Sequence, residues 1–238
     1  MRQDIYAKLM PTARALVDEI EKHSGIEIQV LPKKVRPSGW ISEAKDESDS
    51  VVGVITGPES IVIESPTEIE NINEEDYIHE LLHLHRMFVA TVPHLYPRGR
   101  NNGNAAATID NWLEHIVIYD RQIKMCPKFN EKMNIELIEF WQRSPWNSTG
   151  SDLKFNLLSR YMITHKYCSA EAKVAMAEAI KRLALPFSIR SIARQCSNVI
   201  LDKHKLVANV LQFCEIPAEL FWLRHYDVKN HKAIWYPI

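Results

Sequence analysis

His79-Glu80-Leu81-Leu82-His83 is the stretch of this chain best suited to chemistry. Histidines four apart on a helix project from one face about one turn apart, so two imidazoles can share one divalent ion. The glutamate between them is placed to polarise a water on that ion, and two imidazoles with a nearby carboxylate suit Zn²⁺. The motif needs a helix under it, and its flanks predict one. Asn73-Glu74-Glu75-Asp76 reads as an N-cap followed by three acids in the first turn, where carboxylates meet the positive end of the helix dipole. Tyr77, Ile78, Leu81, Leu82, Leu84, Phe88 and Val89 then recur at helical spacing and supply a dry wall to stiffen the two histidines.

Two histidines do not close a catalytic zinc site; a third protein ligand is required, with a fourth position left for water. Thr108 to Asp120 also reads as a helix, with Ile109, Trp112, Leu113, Ile116 and Val117 on one side. Its Glu114 and His115 are both able to bind zinc, but neighbours on a helix point about 100° apart, so one of the two faces the ion. Glu114 is favoured. Asp110 lies one turn before it on the same face and is placed to accept the free ring N–H of His79 or His83. His115 is the alternative.

HExxH on one helix with a glutamate on the next resembles the gluzincin branch of zinc metallopeptidases. The order of elements, an N-terminal helix, short strands, the HExxH helix and a glutamate-bearing helix, is similar to the compact IrrE/ImmA-type metallopeptidases over roughly residues 1–125. The resemblance implies Zn²⁺ on His79, His83 and Glu114, and Glu80 as general base in hydrolysis of a specific protein or peptide substrate. The chain departs from zincin patterns at His85, where a hydrophobic residue is usual. It has no third histidine at metzincin spacing and no aspartate one turn after Glu114. A non-hydrolytic zinc module, serving structure, sensing or partner binding, is the competing reading, and His85 or His115 could fill its fourth position.

The elements that must position these residues follow from the rest of the chain. Residues 4–24 are expected to form one helix ended by Gly25, and Ile26 to Val30 alternates as a strand. Val51–Ile55 and Ile61–Ile63 flank Thr56-Gly57-Pro58-Glu59-Ser60, a hairpin signature, with a polar loop at 42–50 before it. Val92 to Asn104 is rich in turn formers and is expected to be a loop joining the two ligand helices. Beyond Tyr119 the pattern is helical nearly to the end, with breaks near Pro127, 145–151, Pro186 and Pro217. The expected fold is therefore α+β: a zincin-like core at 1–126 with a small, mainly antiparallel sheet, followed by an all-helical half at 127–238. The tail from Phe221 to Ile238 is expected to reach the cleft, with His225 and Tyr226 as candidate oxyanion donors and Tyr119 as another.

Composition narrows the class. The 238 residues carry a net charge of −1, which argues against a general nucleic-acid surface. The acids at 64, 68, 70 and 74–76 read as capping and solvated charge. Cys126, Cys168, Cys196 and Cys214 are widely spaced without a CxxC pair, as in a reducing compartment, and the expected location is the cytoplasm. The amphipathic start lacks a signal-peptide core, and no apolar run is long enough to span a membrane.

Overall fold

A computed structural model describes residues 3–32, 53–57, 60–65, 74–99, 103–143, 150–183, 188–230 and 232–238. The Asn73 cap, the 42–50 loop, the hairpin turn Pro58-Glu59, acids 68 and 70, and the breaks at 145–149 and Pro186 lie outside the described residues. The fold is α+β and mostly helical, with nine α-helices and two three-stranded sheets among the described residues. It groups into two compact units, Met1–Ala107 with Trp222–Pro237, and Thr108–Phe221 with Ile238.

The first unit opens with α1 (Gln3–Lys8) and α2 (Pro11–Ser24). The single helix expected over 4–24 is broken here. Pro11 has no N–H to give and opens α2 at its first turn, while Met10 before it is extended (φ −60°, ψ 155°), the conformation a following proline favours. Gly25 ends α2 in the left-handed region at φ 67°, its N–H on the Glu21 carbonyl, a conformation that costs glycine little. Strands β1 (Ile28–Pro32), β2 (Gly53–Gly57) and β3 (Ser60–Ser65) form the first sheet in the order β1-β3-β2. The sheet is mixed: β3 pairs antiparallel with β2, Gly57 opposite Ser60 as in a tight hairpin, and parallel with β1. The central strand is covered on both faces, with Ile61, Val62 and Ile63 all buried.

Helix α3 (Glu74–Phe88) packs on α2. Its Tyr77, Ile78, Leu81, Leu82, Leu84 and Phe88 are buried, as are Ala13, Leu16, Val17 and Ile20 of α2. His85 faces Glu19 of α2, its Nε2 3.1 Å from a carboxylate oxygen. The 92–104 loop contains a strand, β4 (His94–Pro97), in a second sheet ordered β4-β5-β6 with β5 (Phe221–Asp227) and β6 (Lys232–Pro237). The all-helical character expected for 127–238 is therefore corrected at its end. At the start of β5 the buried Phe221 and Leu223 alternate with the half-buried Trp222 and Arg224, a period-2 pattern too short to stand out after a long helical stretch.

Helix α4 (Gly103–Met125) is continued after Cys126 by α5 (Pro127–Gln142), with Pro127 at its start. The second unit adds α6 (Gly150–Tyr167), α7 (Ala170–Leu183), α8 (Ile189–Asn198) and α9 (Lys203–Cys214). Helix α6 packs against α5, α7, α8 and α9. Trp141 of α5, fully buried, donates from Nε1 to Thr164 Oγ1 of α6 at 2.9 Å, so its one polar atom has a partner inside the core. Asp202 caps α9, accepting from the Lys205 backbone N–H at 3.1 Å. All four cysteines are buried thiols, and burial pushes Cys196 and Cys214 up to about 11 and 12. Among the described residues no helix is long and apolar enough to cross a membrane.

Candidate metal centre

The buried stripe of α3 fixes which side of that helix stays open. With Tyr77, Ile78, Leu81, Leu82 and Leu84 in the core, His79, Glu80 and His83 emerge together on the half-buried side. The two histidine rings meet edge to face, centroids 4.9 Å apart, with their Nε2 atoms 3.2 Å apart. Two nitrogens on one tetrahedral zinc at ordinary bond lengths are separated by about 3.3 Å. The i,i+4 rotamers thus already hold both Nε2 atoms at ligand spacing. In the absence of an ion the same spacing lets one Nε2–H donate to the other ring.

Glu80 lies between the two histidines in sequence and is not itself part of the histidine group. The residue is only half-buried, but its carboxyl is densely surrounded. Desolvation, with the nearby Asp76 charge second, pushes its pKa up to about 8.

His115, on α4, is buried. Its ring stacks on Tyr119 (centroids 5.0 Å apart, 18° between planes) and meets Trp112 edge-on at 5.5 Å. The Tyr119 hydroxyl lies 3.1 Å from His115 Nδ1. If Nδ1 carries the proton and donates to that oxygen, Nε2 is left with a lone pair, the tautomer a metal requires. Ligand atoms of His79, His83 and His115 all lie within 4.8 Å of one another, a group that could hold a metal ion. Three imidazoles form a borderline donor set that fits zinc and its neighbours in the first transition row better than calcium or magnesium.

The structure does not bring Glu114 into that group. Glu114 and Asp110 share a face of α4, as expected, but what they share is Lys203 at the start of α9. Lys203 Nζ donates to Glu114 Oε1 at 2.5 Å and lies 2.7 Å from Asp110 Oδ1. The Lys203 and Glu114 side chains are 3% and 1% exposed. Burial alone would lower the lysine pKa; the two carboxylates outweigh it, and the pKa is raised. Sequence reasoning missed Lys203 because a lysine after an aspartate cap reads as ordinary exposed helix surface.

The tail candidates sit on β5. Tyr226 is buried with its ring edge-on to Phe88 at the end of α3, centroids 5.3 Å apart. The His225 Nδ1 atom lies 3.0 Å from the Thr91 carbonyl oxygen, so that nitrogen is the donor there. Both residues thus lie close to the chain that leaves the HExxH helix. No family model, no curated protein and no solved structure matches this chain.

Proposed function

We propose that this protein is a metal-dependent hydrolase of the peptidase class, with His79, His83 and His115 as ligands to zinc and Glu80 as general base. The observation that supports the reading best is the pair of Nε2 atoms 3.2 Å apart with a carboxylate between them in sequence. His115 is preferred to Glu114 as third ligand because recruiting Glu114 would strip a buried lysine of a partner at 2.5 Å.

A zinc ion held by three imidazoles would supply Lewis-acid activation of water and of a peptide carbonyl. The chain's own residues do the proton work. Glu80 accepts a proton from the attacking water and returns it to the departing amine. Tyr119 holds the His115 ring by stacking and through Nδ1. Tyr226 and His225 are the proposed oxyanion donors.

Substitution of the base separates binding from chemistry. Glu80→Gln is expected to keep the metal and the fold while hydrolysis of a casein or peptide-library substrate falls by roughly 10²–10⁴-fold. Metal content by mass spectrometry and cleavage by chromatography check it. Activity near wild type in this variant would remove Glu80 from the mechanism.

A further inference from the structure

Within the second unit, α4, α5 and α6 line a half-open pocket of about 230 Å³. Its aliphatic floor comes from α5 and α6, and Tyr119 contributes to the wall. Of the charged residues that line it, Glu136, Glu139 and Arg143 are exposed, and Arg160 of α6 is half-buried. The Arg160 guanidinium carbon lies 4.6 Å from the Trp112 ring centroid and 4.4 Å from that of Phe140. Its Nη1 donates to Asn156 Oδ1 at 2.7 Å, which uses one of the five N–H donors. Among the described residues no carboxylate forms an ion pair with it. The acids at the cavity are Glu136 and Glu139 on the exposed rim, and Glu139 is 3.6 Å from Arg143 in the next turn. Burial lowers the Arg160 pKa, as it does for a cation stripped of water.

A half-buried cation without an anionic partner costs stability. The two rings beside it offset part of that cost, and of the N–H donors in the guanidinium plane one Nη1–H goes to Asn156. A carboxylate approaching in that plane meets a fork of parallel N–H groups. We propose that this cavity binds a small carboxylate with an apolar body, the carboxylate paired with Arg160 and the body packed between Trp112, Phe140 and the aliphatic floor. The volume lies just below the range of about 300–1,000 Å³ usual for ligand pockets, which limits the ligand to small acids or to the terminal residue of a peptide. The proposal stands independently of any metal on the histidine group.

Calorimetric titration of the full chain tests it, with 3-phenylpropanoate and its amide as one pair, and a tripeptide ending in phenylalanine with free and amidated C-terminus as the other. At least one carboxylate should bind one per chain in the millimolar range or tighter, with its amide weaker by roughly tenfold or more. Arg160→Gln should weaken the carboxylate by a similar factor. Binding of the free acid alone identifies a small-molecule site; binding of the peptide identifies a site for a chain end. No saturable binding of either carboxylate overturns the proposal, as does equal binding of acid and amide, or undiminished binding to Arg160→Gln. If Arg160→Gln loses its circular-dichroism signature, the acid–amide comparison on the wild-type chain decides.

Discussion

Tyr119 is where residue-scale chemistry can be separated from packing. It stacks on His115 and places its hydroxyl 3.1 Å from Nδ1, so it holds the ring by both its face and its edge. Tyr119→Phe keeps the stacked ring and removes only the hydroxyl. Loss of such an orienting partner typically weakens a metal site by about 10–100-fold. We expect zinc affinity, measured by competition with a chromophoric chelator, to fall within that range while thermal stability changes little. Unchanged affinity would mean that His115 needs no hydrogen bond to present its nitrogen.

At the scale of elements, the Lys203 contacts tie the start of α9 to two successive turns of α4. Removing one member of a buried charge network leaves the others unpaired, which costs about 3–5 kcal/mol. Lys203→Met should therefore destabilise the protein by that amount in urea unfolding, and adding Glu114→Gln to the same background should recover part of it. A loss under about 1 kcal/mol would show that water reaches the two carboxylates and that the network is not sealed.

The same network marks how far the sequence could be read. α3 was legible because its apolar residues repeat at helical spacing and leave His79, Glu80 and His83 together on one side. The shared face of Asp110 and Glu114 was legible too, since i,i+4 spacing is local. What occupies that face was not, because Lys203 comes from 89 residues away. Strand β4 was hidden for a similar reason: four residues in a turn-rich stretch become a strand only through pairing with β5, which lies far along the chain. The break between α1 and α2, by contrast, was available from Pro11 alone.

For the molecule as a whole, the tail is part of the fold. Phe221 and Leu223 are each 1% exposed, and β5 is the middle strand of its sheet. Deleting residues 221–238 removes burial worth about 1.5–3 kcal/mol per large apolar side chain and leaves β4 without a partner strand. The truncated chain should melt well below the full protein or fail to fold, so a loss of activity on truncation would say nothing about chemistry. Tyr226→Phe and His225→Ala in the full chain are the informative variants. If either hydroxyl or imidazole stabilises the oxyanion, kcat falls with KM nearly unchanged.

Whether His79, His83 and His115 hold a metal ion is decided by equilibrium dialysis against zinc followed by elemental analysis. The wild-type chain should retain one zinc per molecule. His83→Ala and His115→Ala should lose it, and Glu114→Gln should keep it, with circular dichroism showing that each variant is folded. A wild-type chain that holds no zinc, or a folded set in which Glu114→Gln loses the ion and His115→Ala keeps it, would contradict the account.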